Sequence, residues 1–439
     1  MNRISHILLV IILPAVFLSC VTGNKFTEPP AFINGDTLPD APDLSARGKY
    51  KVGVKTVTLV NSNQIDILHS QSGKDPVYDR HLTVEIWYPA ILPEGKKERV
   101  VYNQFMGLFH DSTRPLVPFT FQGRALRDAT PEKRQERYPL IIVSHGYPGN
   151  RLIMTWLTEN LASKGYVVVA IDHAESTFSD KAAFQSTLLN RSKDILFVLN
   201  QVDLLSKADS KSFLSGLVDA GNTGLIGYSM GGYGVLNAAG ARCGPKLDTF
   251  FRYITGGSTA ITGLLAGDAG DKIPIDPRIK AVVAFAPWGM QRGVWTPEGL
   301  KGIRVPTFFV AGDQDDVSGY EDGIKAIYKS AVNSERYLLT YTNARHNIAP
   351  NPPPPETLKA GVPYGEYSFY AEPAWKEQRI NNINQHFVTA FLGSYLQHLD
   401  YSRYFDLQEK SNNKPWAGFK PRASVGLEFL QEDPATDKK

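Results

Sequence analysis

The sequence predicts an α/β protein: a mostly parallel central sheet with helices on both faces, antiparallel strands at its N-terminal side, and inserted loops or a cap. Three observations lead there. Between residues 138 and 342 apolar runs of strand length recur without polar alternation, stretches of amphipathic helical pattern separate them, and two runs upstream alternate at period two instead. A strand buried on both faces has no polar side, which is the condition of a parallel sheet covered by helices. Period-two alternation marks a sheet with one face left half open.

In chain order, YKVGVKTVTLV (50–60) and HLTVEIWYP (81–89) read as two antiparallel strands at a sheet edge. Residues 90–138 read as an excursion. The buried runs are PLIIVSH (139–145), YVVVAID (166–172), TGLIGYS (223–229), KAVVAFAP (280–287), PTFFVAG (306–312) and RYLLTYT (336–342), with helices expected at 151–164, 190–207, 230–242 and 319–332. The glycine-bearing stretch 244–278 reads as an inserted cap or loop, and 351–375, which opens on NPPPPE, as a second insertion. Helix resumes over 375–399. The catalytic domain is therefore expected over 49–402, with 403–439 as a C-terminal extension.

Composition narrows the class. With 439 residues, 42% hydrophobic and 11% aromatic, the chain can bury a full core. A net charge of +3, from 47 basic and 44 acidic residues, comes with no dense basic run, so a nucleic-acid partner is not expected.

The N-terminus carries Arg3 and then ILLVIILPAVFL (7–18), shorter than the ~20 residues of a membrane-spanning helix, and reads as an export signal over 1–20. Two processing schemes fit it: an ordinary secretory signal cut near Ser19 or Gly23, or a lipoprotein signal in which FLSC presents Cys20 for acylation. The second is the expected scheme and would hold the protein on a membrane surface through a lipid anchor. Residues 21–48, rich in Pro, Gly, Asn and Asp, read as a flexible tether. The only cysteines are Cys20 and Cys243, so acylation of Cys20 leaves no disulfide, and a large core has to supply the stability.

GYSMG (227–231) sits where a buried run meets a helical pattern. In such a turn glycines at 227 and 231 let strand and helix pass closely and leave Ser229 exposed at the strand end, at a helix N-terminus that favours developing negative charge. Standing alone, the pattern also fits a glycine-rich turn with a solvated serine. A serine nucleophile needs a base and a carboxylate to orient it. VAGDQDDVSG offers Asp313, Asp315 and Asp316 after the next-to-last buried run. Asp315, three residues past Gly312, is taken as the orienting acid, and the other two as turn-stabilising residues. His346, in RHNIAP after the last buried run, is taken as the base, since it follows both the nucleophile and the acid. The oxyanion donors are expected to be the backbone N–H groups of Met230 and of Tyr147 in HGYPGN, with His145 fixing that loop. The side chains of Tyr147 and Met230 fit an acyl pocket, with ordinary core packing as the alternative, and for Trp288 the two readings balance. The acidic run lacks the glycine and distal glutamate of a calcium loop, and no metal or cofactor is expected.

Together HLTVEIWYPA, LIIVSHGYPGNR, LASKGYVVVAIDH, GYSMGGYG, VPTFFVAGDQDD and RHNIAP resemble the α/β-hydrolase superfamily. The likeness is to its dienelactone hydrolase-like branch, which includes platelet-activating factor acetylhydrolases and polyester hydrolases. The resemblance covers about residues 50–400 and implies an α/β-hydrolase fold and carboxylic ester hydrolysis through an acyl-enzyme, on small or short-chain acyl esters including phospholipids. The alternatives it leaves are a polyester or cutinase-like hydrolase, a serine peptidase or acyltransferase of the same fold, and a non-catalytic binding protein. Dienelactone hydrolases proper use cysteine where this chain has Ser229. The plasma-type acetylhydrolases carry their acid near what is here Ala286-Pro287-Trp288, where no carboxylate stands. Polyester hydrolases, like this chain, pair SMGG with a tryptophan after AP.

Overall fold

Strands buried on both faces form a long mixed sheet in the computed structural model, which describes residues 33–71, 73–109, 111–180, 182–267, 270, 274–412 and 414–435. The signal over 1–20 and Cys20 lie outside the described residues. Strands β1 (Lys51–Ile65) and β2 (Val77–Ile91) pair antiparallel from Lys51 opposite Ala90 to Ile65 opposite Val77. The excursion holds a separate antiparallel hairpin, β3 (Val100–Met106) with β4 (Val117–Gly123). Two short strands follow, β5 (Leu126–Arg127) and β6 (Thr130–Pro131), which pair with β1 and β2.

Next come β7 (Tyr138–Ser144), α1 (Thr155–Ser163), β8 (Val167–Asp172), α2 (Phe184–Ser206), β9 (Val218–Tyr228) and α3 (Met230–Ala238). After α4 (Pro245–Ile254) the chain continues through β10 (Ile279–Phe285), α5 (Pro297–Leu300), β11 (Thr307–Gly312), α6 (Lys325–Ser330) and β12 (Arg336–Tyr341). It finishes with α7 (Tyr364–Ser368), α8 (Glu377–Gln397) and β13 (Leu427–Glu432). The helix expected at 319–332 opens as a wide π turn over Tyr320–Ile324 before α6.

The sheet order is β13-β12-β11-β10-β9-β7-β8-β2-β1-β5, parallel from β8 to β12. Every residue of β7, β11 and β12 is buried, as runs without alternation require. Helices α2 and α3 pack on each other and on β9, whereas α1 and α8 pack on each other. Because β8 lies on one side of β7 and β9 on the other, the connections leaving β7 and β9 diverge. Such a switch point opens a crevice at the carboxyl ends of the strands.

Two expectations at the chain ends need correction. The tether expected over 21–48 does not extend through 33–48, which packs on the core with Ile33 and Ser45 buried. Leu38 N–H donates to Asn382 Oδ1 (2.8 Å), Leu44 N–H to His386 Nδ1 (3.1 Å), Ser45 Oγ to Asn382 O (2.8 Å) and Gly48 N–H to Ser163 Oγ (2.9 Å). The half-buried Lys164 donates from Nζ to Leu44 O at 2.6 Å. Irregular backbone is thus held by partners distant in sequence. The extension expected over 403–439 is equally part of the fold: β13 pairs antiparallel with β12 from Arg336 opposite Glu432 to Tyr341 opposite Leu427, and Tyr404, Phe405, Trp416 and Phe419 join the core.

Candidate active site

Ser229 ends β9 and caps α3 with φ 53° and ψ −114°, a left-handed-side conformation that costs a non-glycine residue about 1–3 kcal/mol. The backbone around it sustains the turn: Ser229 N–H donates to Phe285 O (2.9 Å), and Ser229 O accepts from Trp288 N–H (3.1 Å) and Tyr233 N–H (3.1 Å). The glycines are sterically required. A Cβ on Gly227 would lie 2.2 Å from Gly231 O, and one on Gly231 would lie 1.9 Å from Ser144 O.

The structure brings three of the expected side chains together, all nearly buried. His346 Nε2 lies 3.0 Å from Ser229 Oγ, and His346 Nδ1 lies 2.8 Å from Asp315 Oδ2. Asp315 Oδ1 accepts from Val317 N–H (2.9 Å) and Ser318 N–H (2.7 Å). Burial pushes the Asp315 carboxyl up, but His346 and the two backbone amides outweigh it and hold the group below the usual carboxylate value. It is therefore an anion facing the imidazole. Asp313 instead accepts from Asn343 N–H (2.7 Å), and Asp316 pairs with Arg345 (2.7 Å) at the surface.

The loop after β7 lies against this group: a Cβ on Gly146 would sit 3.5 Å from Ser229 Cβ. Among the described residues, the backbone N–H groups of Tyr147 and Met230 donate to no protein acceptor. Trp288 is half-buried, with its ring edge-on to Phe184 (centroids 5.6 Å, planes 90° apart), and Phe184 also touches the Tyr147 ring at 5.5 Å. Met230 is buried. Tyr147 and Trp288 thus share one aromatic neighbour beside Ser229, and Met230 sits in the core.

Several residues here escaped the sequence reading. The Tyr228 ring lies against His346, and its hydroxyl donates to Asn347 Oδ1 (3.0 Å). Asn347 Nδ2 in turn donates to Ser368 O (2.7 Å) and Ala371 O (2.9 Å), fastening the second insertion beside the imidazole. Burial, with Asp315 and Glu372 nearby, raises the Tyr228 phenol well above its ordinary value and keeps it a donor. Behind the β7 loop lies a buried polar chain. Ser144 Oγ contacts His173 Nε2 (2.8 Å), His173 Nδ1 contacts Asp194 Oδ2 (2.9 Å), and Arg80 Nε and Nη2 donate to the two Asp194 oxygens (2.9 Å each). The positions in GYSMG between the glycines were the one available signal, for Tyr228.

An elbow serine joined through an imidazole to a carboxylate, the three standing after the carboxyl ends of β9, β12 and β11 of a parallel sheet, is the arrangement of an α/β-hydrolase. A model of the family described as PET hydrolase-like matches residues 107–250 and 249–360, and the chain belongs to that family. It is 26% identical over 220 residues to cutinase est1 of Thermobifida alba, a match covering 50% of this chain and 56% of that protein. It is 24% identical over 261 residues to cutinase 2 of Thermobifida cellulosilytica, covering 59% and 74%. A bis(hydroxyethyl) terephthalate hydrolase of Streptomyces coelicolor is 24% identical over 212 residues, covering 48% and 51%. The match thus spans little more than half of the Thermobifida alba relative. A ferulic acid esterase from Streptomyces cinnamoneus has a similar fold, with TM-score 0.54 and 18% identity over 89% of this chain and 99% of that one.

Proposed function

We propose that the protein is a serine carboxylic ester hydrolase of the polyester or cutinase-like kind, acting through an acyl-enzyme. The observation that carries the proposal is the unbroken contact from Ser229 Oγ through His346 to the Asp315 carboxylate, at 3.0 and 2.8 Å. His346 Nε2 takes the hydroxyl proton as Ser229 Oγ attacks the ester carbonyl. The oxyanion then accepts from the Met230 and Tyr147 N–H groups, and His346 returns the proton to the departing alcohol. Water, activated by the same imidazole, releases the acid. Asp315 keeps the proton on Nδ1 and stabilises the imidazolium.

The relatives named as cutinases and as a terephthalate ester hydrolase favour this substrate class over the short-chain or phospholipid esters suggested by the acetylhydrolase likeness. Export, and a lipid on Cys20, remain parts of the proposal that rest on the N-terminal sequence.

A fluorophosphonate should label Ser229, and Ser229→Ala should abolish labelling. On a panel of p-nitrophenyl esters, phospholipid and aliphatic and aromatic polyesters, the protein lacking residues 1–20 should release acid from the polyesters. Labelling that survives Ser229→Ala rejects the nucleophile. Turnover confined to phospholipid rejects the substrate class.

A further inference from the structure

We propose that Arg191 and His145 are positioning residues that aim the Tyr147 N–H at the oxyanion by gripping the carbonyl oxygen of the same peptide group, an inference that rests on the ester-hydrolase reading. The carbonyl of Gly146 and the N–H of Tyr147 belong to one planar trans peptide, so they point in opposite directions and fixing one fixes the other. Gly146 O accepts from Arg191 Nη2 at 3.0 Å and from His145 Nδ1 at 2.6 Å. An oxygen has no proton to give, so His145 carries its proton on Nδ1. Its Nε2 then accepts from His173 N–H (3.2 Å), which agrees with that tautomer.

The grip is built into the core. Arg191 lies on α2 and is buried; its Nη1 also donates to His145 O, and its Nη2 to Ser176 Oγ (2.6 Å). A Cβ on Gly149 would come 2.7 Å from His145 Nδ1 and 2.9 Å from Gly146 O, so only glycine admits the closed arrangement. Gly234 on α3 clears Arg191 in the same way, with its notional Cβ 3.0 Å from the Arg191 Cβ. A cation on the carbonyl also polarises the peptide, which makes its N–H a stronger donor. Three elements, the β7 loop, α2 and α3, thus converge on the direction of one amide.

The test uses p-nitrophenyl butyrate turnover divided by the number of sites a fluorophosphonate titrates, with phenylboronic acid as a probe for tetrahedral adducts. Removing an oxyanion donor typically lowers kcat by ~10²–10³, so misaiming one in Arg191→Met should lower kcat per titrated site by at least about tenfold. KM should stay near wild type, and the boronate inhibition constant should rise by the same factor as kcat falls. Arg191→Lys should recover part of the loss. His145→Ala should show the same signature and His145→Asn, whose amide can donate to Gly146 O, should restore it. This pair decides the matter even if Arg191→Met does not fold. A kcat per site equal to wild type in the folded variants, a fall that leaves boronate affinity untouched, or equal losses in His145→Ala and His145→Asn overturns the proposal. Absence of ester turnover in the wild type would instead refute the enzymatic reading, a distinct result.

Discussion

The ring of Tyr228, the residue before the candidate nucleophile, lies against the imidazole of His346 with centroids 5.3 Å apart and planes 34° apart. The residue that delivers the serine therefore also supports the base. Tyr228→Phe keeps the ring and loses one neutral hydrogen bond, so kcat/KM for a p-nitrophenyl ester should fall by at most about fivefold. Tyr228→Ala frees the imidazole and should lower kcat by about 10². Steady-state kinetics on the two variants checks both.

Asp315→Asn should lower kcat by up to about 10⁴, because an amide presents a donor where His346 Nδ1–H needs an acceptor. Asp313→Asn, which alters only the bond from Asn343 N–H, should leave kcat near wild type. The reverse ranking would transfer the orienting role to Asp313.

Gly231→Ala drives a methyl into Ser144 O at 1.9 Å, a contact with backbone that no rotamer change relieves. The variant should lose about 3 kcal/mol or more of stability, read as a fall in the urea midpoint. Gly221→Ala, whose nearest neighbour is the Asp219 carboxylate at 3.2 Å, should be far milder.

Acid should weaken the fold before it titrates any ordinary carboxylate. Burial, aided by Arg191, lowers His173 to about 4; burial, aided by Lys164, lowers His386 to about 3; and burial, aided by Arg191 and His173, holds His145 well below the usual imidazole value. The unfolded chain thus takes protons first as pH drops below ~6.5. Stability is full above that value, and each histidine subtracts about 1.4 kcal/mol per pH unit below it until its folded value is reached. Urea midpoints should be level from pH 8 to 7 and should fall steeply from 6.5 to 5.

A chain beginning at Lys49 should be less stable than one beginning at Ile33 by at least about 3 kcal/mol, since it forfeits several buried or half-buried hydrogen bonds worth ~1 kcal/mol each. Those made by Leu38, Leu44 and Ser45 to α8 are the principal losses. Equal melting temperatures for the two chains would show that the segment merely covers the surface.

Strand positions and the serine, histidine and aspartate were legible because each depends on local pattern. PLIIVSH, TGLIGYS and PTFFVAG announce burial on both faces, and GYSMG marks its own turn. Choosing Asp315 over Asp313 needed only a count from Gly312. The segment 33–48 was not legible, because its partners Asn382 and His386 lie more than three hundred residues away and no periodicity announces them. Arg191 looked like any charge on an amphipathic helix. Its burial is decided by carbonyls of a loop on another strand, and the start of α2 at Phe184 has no side-chain cap to mark it. Strand β13 escaped because a six-residue run after a long irregular stretch carries too little pattern to place it beside β12.

That last pairing has a consequence for biogenesis. Roughly 90 residues follow β12 before β13 is complete, and at ~5–20 residues per second of synthesis the outer rim of β12 stays unzipped for about 5–20 s. A bare rim invites pairing with another nascent chain. Holding factors, or passage across a membrane before folding, would spare the polypeptide that interval, and the closing zipper would then come as one of the final acts of maturation.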